Sequence, residues 1–240
     1  MLIQKVYASF KRLLPTALSK PLRALMTALL TPAYFSWLTG HWQSALRGKP
    51  LNRAGAPIPW YTYPAIQLVE NKDYRGRTVA EFGAGNSTLW WAQQAAQVVA
   101  FEEDEQWFNY LKSRVPANVE LHHLPVDLTG IDTKLGDRRF DVVIVDGLDR
   151  FKAVVVARRI LKPGGLIIVD NAEGYWGAEG TYPIMDFMRA EGFQRLDLYG
   201  FAPGCCCRTV PQSSGKMRRS YLPGRKIQKT TCAPPAKDPS

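Results

Sequence analysis

The sequence predicts an α/β fold in which a mostly parallel sheet is flanked by helices on both faces. The first observation is that short apolar runs alternate with helix-like segments from residue 78 to residue 199, which is typical of consecutive β-α-β units. The second is that Gly83 and Gly85 stand between one apolar run and the helix-like segment after it. A glycine turn at that point is typical of nucleotide-type sites, so we expect a ligand beyond the carboxyl ends of the strands.

The first fifty residues are expected to form a helical extension. Leucines recur at helical spacing between residues 13 and 30, and Pro21 and Pro32 are expected to divide the segment into short helices. Basic and apolar residues alternate there in blocks. Two placements are therefore open: a helix that packs across the folded domain, or a helix that lies in a membrane interface.

An aromatic segment at residues 57–64 precedes a helix that we expect at residues 64–71, because Pro64 suits the first turn of a helix. Two roles are open for this segment. Its aromatic side chains either cover a ligand or anchor the N-terminal extension; they are Trp60, Tyr61 and Tyr63.

Six apolar runs predict six strands, with helices between successive strands. The strands are expected at residues 78–82, 98–102, 119–122, 140–145, 166–169 and 193–199. The clearest helices are expected at residues 87–96, 150–161 and 182–191. The run at 140–145 is almost wholly apolar, as in a parallel strand that is covered on both faces.

Charge divides the chain into three segments. Residues 1–69 contain eight Lys or Arg and no Asp or Glu, residues 70–204 contain fifteen basic and twenty acidic residues, and residues 205–240 contain eight basic residues and one acid. The net charge of +10 therefore comes from the two ends. We expect the acidic middle not to bind nucleic acid, whereas the basic ends suit anionic lipid or RNA.

Cysteine use and hydropathy predict a cytoplasmic location. All four cysteines follow Gly204, so the middle of the chain needs no disulfide and fits a reducing compartment. The most apolar stretch, residues 25–38, is interrupted by Pro32 and is shorter than the ~20 residues that span a bilayer. Basic residues recur through the N-terminus, unlike a signal peptide. Peripheral contact with the inner face of the membrane is compatible with this prediction.

Two carboxylates indicate what kind of ligand the glycine turn binds. Glu81 precedes the turn, and Glu102 ends the next strand about where a ribose diol is held, ~20 residues past the glycines. Thr88 stands where a dinucleotide fingerprint has its third glycine, which weakens an NAD site. An acid at the strand tip repels a pyrophosphate but suits a ligand with an ammonium and a sulfonium.

The run Glu-Phe-Gly-Ala-Gly-Asn-Ser-Thr at residues 81–88 resembles motif I of the class I S-adenosylmethionine-dependent methyltransferases, and the resemblance covers about residues 58–203. It implies a Rossmann-like fold and S-adenosylmethionine as cofactor. By this resemblance, Gly83 and Gly85 admit the methionyl part, Glu81 faces its amino group and Glu102 binds the ribose hydroxyls. Asp127 either accepts from the adenine amino group or is a turn residue.

Acids at the ends of the fourth and fifth strands suggest a further role. Asp146, Asp170 and Asn171 resemble, weakly, the metal triad of the catechol and caffeoyl-CoA type O-methyltransferases, which would hold Mg²⁺. Asp149 stands where the catechol enzymes have a lysine, so the usual base is missing and no metal is expected. Asp146 is then the catalytic candidate, because it would position the substrate or the cofactor.

Three regions follow: a basic helical extension and loop at 1–57, a methyltransferase-like domain at 58–204 and a basic tail at 205–240 that we expect to be disordered. The family closes its sheet with a seventh, antiparallel strand, and nothing after Gly204 has the apolar pattern of that strand. We therefore expect the strand to be missing. A native tail and a change of reading frame near Gly204 both explain the shift in composition.

The sequence thus predicts an S-adenosylmethionine-dependent methyltransferase that acts on an oxygen or nitrogen of a small-molecule acceptor. Two alternatives stay open. One is a catalytically silent binding protein of the same fold at a membrane surface, and the other is an NAD-dependent oxidoreductase.

Overall fold

The computed structural model describes residues 16–147, 149–171, 181–205, 208–209 and 212–214. Its helices are α1 (Thr16–Thr39), α2 (His41–Arg47), α3 (Tyr63–Glu70), α4 (Asn86–Gln94), α5 (Glu105–Lys112), α6 (Ile131–Leu135), α7 (Arg150–Ile160) and α8 (Thr181–Ala190). Its strands are β1 (Thr78–Phe82), β2 (Gln97–Glu102), β3 (Val119–His123), β4 (Phe140–Val145), β5 (Leu161–Val169), β6 (Arg195–Asp197), β7 (Gly200–Phe201), β8 (Arg208–Thr209) and β9 (Gln212–Ser214).

The main sheet has the order β3-β2-β1-β4-β5-β9-β6. Strands β1 to β5 are mutually parallel, and β1 lies between β2 and β4. Helices α4 to α7 connect these strands, which confirms the predicted Rossmann-like α/β fold. The order reverses direction beside β1, and a sheet of this kind binds its ligand at such a switch point.

Both faces of the sheet are covered, so its central strands are buried throughout. Alternate residues of β1 enter two separate apolar clusters: Ala80 and Phe82 pack on one face, and Val79 packs on the other. Glu81 shares the side of Val79, where Tyr61 and Trp91 also lie. The sheet therefore places a carboxyl group inside an apolar layer.

The N-terminal extension differs from the prediction, because α1 is one continuous helix through Pro21 and Pro32. A proline costs helix stability but does not always end a helix. None of residues 20–39 is buried, so α1 does not pack across the folded domain. Only its end makes a described aromatic contact with the domain, where the Phe35 ring meets the Tyr63 ring edge-on at 5.0 Å.

The aromatic segment before α3 has the contacts of an anchor. The Trp60 indole donates to the Pro203 carbonyl at 2.9 Å, and the Tyr63 hydroxyl lies 3.3 Å from His41 Nδ1. The α3 helix begins at Tyr63, one residue before the predicted start, and the Thr62 hydroxyl caps it by accepting from Ala65 N. The contact between Tyr63 and His41 joins α2 to the domain, whereas the Trp60 and Thr62 bonds lie within the domain.

The predicted tail is corrected in part, because two short segments of residues 205–240 are strands. β9 pairs antiparallel with both β5 and β6. It thus occupies the place of the closing strand, which was expected to be missing. It is three residues long, so a full-length closing strand is still lacking among the described residues. Sequence reasoning missed β9 because backbone pairing between two strands does not require apolar side chains. The remaining tail predictions lie outside the described residues.

Candidate active site

Glu81 occupies the middle of β1, level with Ala100 on β2 and Ile144 on β4. Its side chain has no exposed surface. The Thr88 hydroxyl donates to Glu81 Oε2 at 2.5 Å and accepts from Gly85 N at 2.8 Å. Glu81 Oε1 is buried and has no hydrogen-bond partner among the described residues. A buried acceptor without a donor is costly, so this oxygen fits a ligand that donates to it.

The protonation of Glu81 depends on its surroundings. Burial raises the pKa of Glu81 to about 7, the nearby Ser87 and Thr88 hydroxyls oppose the increase, and the charge of Glu102 adds to it. Tyr61 is buried on the same side of the sheet, and burial followed by the charge of Glu81 raises its pKa well above the ordinary value. A positively charged ligand group would favour the ionised form of Glu81.

Positions 83 and 85 of the turn are glycine for different physical reasons. Gly83 has a φ of +98°, and a Cβ there would lie 2.7 Å from Gly147 N. The close approach of two backbones therefore requires a glycine at position 83, and contact of Gly83 with a ligand stays a prediction. A Cβ on Gly85 would meet nothing closer than Ser87 Oγ at 3.9 Å. The open space lies at Gly85, where α4 begins.

Trp107 holds the glycine turn from the other side. Its indole N–H donates to the Ala84 carbonyl at 2.8 Å, and the Asp104 carboxylate accepts from its backbone N–H at 2.9 Å as the cap of α5. The turn is also tied to β2, because Gly83 N and Ala84 N donate to the Phe101 carbonyl. No role for Trp107 was predicted from the sequence, where its place in the first turn of the helix after Glu102 was the only signal.

Glu102 lies at the carboxyl end of β2, beside the glycine turn, and is 5% exposed. Its Oε1 accepts from Glu103 N at 3.1 Å and from Asp104 N at 2.9 Å. These bonds fix the carboxylate at the rim of the sheet. The structure thus brings Glu81, Glu102 and the glycine turn together, as the sequence predicted.

Asp127 lies in the loop after β3, which reaches the same rim. Leu124 N donates to the Glu102 carbonyl, and Asp149 N donates to the Val126 carbonyl. The Asp127 carboxylate is exposed and accepts from Thr129 N at 3.0 Å, and hydrogen bonds from Thr129 lower its pKa. Asp127 therefore has the contacts of a turn residue, and its contact with adenine stays a prediction.

Asp146 and Asp170 follow the neighbouring strands β4 and β5, and their carboxyl groups are near enough to shift each other's pKa. Burial raises the pKa of Asp146 to about 6, while Arg150, whose Nη2 lies 3.8 Å from Asp146 Oδ1, opposes the increase. Burial and the charge of Asp146 raise the pKa of Asp170 well above its ordinary value. Two such close carboxyl groups do not both ionise readily, because their charges repel each other.

The described residues give little structural support for a metal site at the ends of β4 and β5. Within the described ranges, no three or more His, Cys, Asp or Glu side chains are grouped to hold a metal ion. Asp149, which stands where the catechol enzymes have a lysine, caps α7 by accepting from Lys152 N at 3.0 Å. Asn171 has a left-handed backbone with φ of +53°, a conformation that asparagine tolerates better than most residues. Mg²⁺ binding by Asp146, Asp170 and Asn171 stays a hypothesis.

Comparisons with known proteins concern the domain and the fold. Residues 80–172 match a family model described as a methyltransferase domain. The solved TehB-like SAM-dependent methyltransferase from Corynebacterium glutamicum has 14% sequence identity and a TM-score of 0.50, and the match covers 78% of this chain and 100% of that chain. The precorrin-6y C5,15-methyltransferase from Geobacter metallireducens has 16% identity and a TM-score of 0.48, with 64% and 87% covered.

No curated protein matches the chain. The family model begins in β1 and ends just after β5, so it contains Glu81, Glu102, Asp146 and Asp170. The fold of the solved methyltransferase from Corynebacterium glutamicum extends over most of the chain. The chain therefore contains a region, residues 80–172, that matches a methyltransferase domain, and this region lies in a Rossmann-like fold.

Proposed function

We propose that the chain transfers the methyl group of S-adenosylmethionine to an oxygen or nitrogen of a small molecule. The observation that supports this most strongly is the buried Glu81 carboxyl, with one oxygen bonded to Thr88 and the other without a partner among the described residues. An α-ammonium group would supply the missing donor and the compensating charge. A pyrophosphate would supply neither.

The other predicted cofactor residues suit the rest of such a ligand. Gly85 leaves open space at the start of α4, where backbone N–H groups favour a carboxylate. Glu102 lies at the rim for the ribose hydroxyls, and Asp127 would face the adenine amino group. When bound, S-adenosylmethionine supplies a methyl group that its sulfonium has already activated, so the protein contributes mainly alignment.

Asp146 and Asp170 suit the acceptor side of the site. Methylation of a hydroxyl or an amine releases a proton, and a carboxyl pair that holds one proton has the capacity for a second. In the ionised form, Asp146 would accept a hydrogen bond from the acceptor O–H or N–H and then its proton. The acidic charge of residues 70–204 agrees with a small-molecule acceptor and disfavours a nucleic acid.

Calorimetric titration tests the cofactor assignment. Glu81→Gln removes the charge but keeps the shape, and we expect it to weaken S-adenosylhomocysteine binding by about 10-fold or more because a charge-assisted hydrogen bond is lost. Asp186→Asn is the matched control, since Asp186 is 73% exposed and pairs only with Arg189 among the described contacts. Unchanged affinity in Glu81→Gln, or tighter binding of NAD than of S-adenosylhomocysteine by the wild type, would contradict the assignment.

An acceptor screen with labelled S-adenosylmethionine tests the reaction itself. Once an acceptor is found, Asp146→Asn should lower kcat while S-adenosylhomocysteine affinity stays within about threefold, because Asp146 is assigned to the acceptor and not to the cofactor. Equal kcat in Asp146→Asn and wild type would remove Asp146 from the mechanism. Addition of Mg²⁺ or EDTA to the same assay decides the metal question.

A further inference from the structure

The two N-terminal helices expose large apolar side chains to an unusual degree. None of residues 20–39 is buried, and Leu29 and Leu46 are 65% and 75% exposed. Helices of this apolar content are normally covered. We call the exposed apolar side chains of α1 and α2 the N-terminal apolar surface; its members include Leu25, Leu29, Leu30, Trp37, Trp42 and Leu46.

The charges around this surface have one sign. Residues 24–46 contain no Lys, Arg, Asp or Glu, and Lys20 and Arg23 precede them while Arg47 and Lys49 follow. The first acidic residue of the chain is Glu70. An uncharged helical stretch with cations at both ends complements a partner that is apolar inside and negatively charged at its surface.

The aromatic residues of the surface suit the same kind of partner. The Tyr34 and Trp37 rings lie 6.0 Å apart, and the Arg53 guanidinium lies 3.5 Å from the centre of the Trp37 ring. Both aromatic rings are about half exposed. Trp and Tyr are enriched where a membrane meets water, because their rings are apolar and their N–H or O–H groups are polar.

Other partners fit these observations less well. Among the described residues there is no helix with the length and hydropathy that crossing a bilayer requires. A nucleic acid would need cations along the helix, and the stretch between Arg23 and Arg47 has none. A second copy of the chain would bring eight more basic residues and no acid within residues 1–69, so like charges would repel.

We propose that the N-terminal apolar surface docks on the surface of an anionic lipid bilayer, with α1 lying in the plane of the interface. The apolar side chains enter the boundary between headgroups and acyl chains, and the flanking Lys and Arg residues contact the anionic headgroups. This proposal is independent of the methyl acceptor.

Vesicle flotation of the full chain tests the proposal. We expect the partition coefficient to be at least 10-fold higher on phosphatidylcholine vesicles that contain phosphatidylglycerol than on phosphatidylcholine alone. A rise in salt from low to 0.5 M should reduce binding, because the electrostatic part is screened. Equal binding to both vesicle types, or no binding to either, would overturn the proposal without any variant.

A charge in the apolar surface gives the second measurement. Leu29→Glu should reduce binding to the anionic vesicles at least 10-fold, whereas the control Val155→Glu, on exposed α7 surface, should bind like wild type. Circular dichroism melts establish that both variants are folded. Light scattering tests the alternative that a second copy of the chain covers this surface. If the wild type were a dimer that Leu29→Glu converts to a monomer without loss of vesicle binding, the surface would be assigned to self-association.

Discussion

The backbones of Gly83 and Gly147 pack directly against each other. A Cβ on Gly83 would lie 2.7 Å from Gly147 N, and a Cβ on Gly147 would lie 3.0 Å from Gly83 Cα. Gly83 belongs to the turn after Glu81, and Gly147 follows Asp146 at the end of β4. The contact therefore fixes the proposed cofactor side of the site relative to the proposed acceptor side.

Gly83→Ala is expected to lower the free energy of unfolding by at least about 2 kcal/mol, because the new methyl meets backbone atoms and the φ is positive. The matched variant Gly85→Ala should lose much less stability, since its Cβ has open space. It should instead weaken S-adenosylhomocysteine binding. Denaturant melts and calorimetry of the two variants check this, and equal stability of both would show that the close approach does not matter.

Trp107→Phe removes the indole donor to the Ala84 carbonyl while it keeps an aromatic ring. We expect the free energy of unfolding to fall by about 1 kcal/mol and S-adenosylhomocysteine binding to weaken several-fold, because the glycine turn loses its support. Trp42→Phe makes the same chemical change on an exposed residue and should alter neither quantity. An effect of equal size in Trp42→Phe would refute a specific role for Trp107.

The pKa of Glu81, raised to about 7 by burial, predicts pH-dependent binding. Between its ordinary value and pH 7, the folded free protein holds a proton on Glu81 that the unfolded chain has lost. The free energy of unfolding from this group therefore falls as pH rises through that window. An ammonium ligand needs the ionised form, so binding should release a proton and strengthen roughly tenfold per pH unit below 7.

Calorimetry of S-adenosylhomocysteine at pH 5.5, 6.5 and 7.5, in buffers of different ionisation enthalpy, measures that proton release. Asp146 and Asp170 also titrate in the site, so Glu81→Gln is the reference that isolates Glu81. Loss of the pH dependence in Glu81→Gln is the expected result. A wild-type affinity that does not change with pH would mean that Glu81 is already ionised before the ligand binds.

Asp141 lies near the amino-terminal end of β4, away from the candidate site, and stabilises that end of the strand. Burial alone would raise its pKa, but hydrogen bonds from Lys162, Thr78 and Arg77 hold it well below the ordinary range. This stabilisation is present above the unfolded-state pKa and is lost as pH falls through the folded-state pKa. Asp141→Asn should cost about 2 kcal/mol at pH 7, because hydrogen bonds to a charged group are lost, and the difference should shrink below pH 4.

Urea melts of Asp141→Asn and wild type at pH 7, 5 and 3 check this prediction. Asp73→Asn is the control, because Asp73 also pairs with an arginine but is exposed, and a pair in solvent contributes little. A loss in Asp73→Asn as large as that in Asp141→Asn would show that burial is not the deciding factor.

The sequence predicted the α/β fold and the location of Glu81 beside the glycine turn, because both follow from local patterns. Strand β4 has the same bounds in the structure as in the prediction, since its apolar run is unambiguous. Helix α6 was not predicted, because five residues carry little periodicity. β6 is shorter than predicted, since its pairing with β9 ends at Asp197.

Non-local contacts explain most of what the sequence could not indicate about the site. Position 83 needs a glycine because its backbone meets Gly147, sixty-four positions further along the chain. The turn is supported by the Trp107 indole, which donates to the Ala84 carbonyl. Thr88 was recognised only as a departure from another fingerprint, although its hydroxyl links Glu81 to Gly85. Such roles depend on which side chains the sheet brings together.

The insertion of β9 between β5 and β6 has a consequence for synthesis of the protein. β6 has β9 as its sheet neighbour and does not contact β5 directly, so β6 joins the sheet only when residues 212–214 are available. While the nascent chain is still in the ribosome, the outer edge of β5 lacks this partner. Completion of the sheet therefore follows synthesis of the other strands of this sheet, and until then the open edge of β5 is available for pairing with another chain.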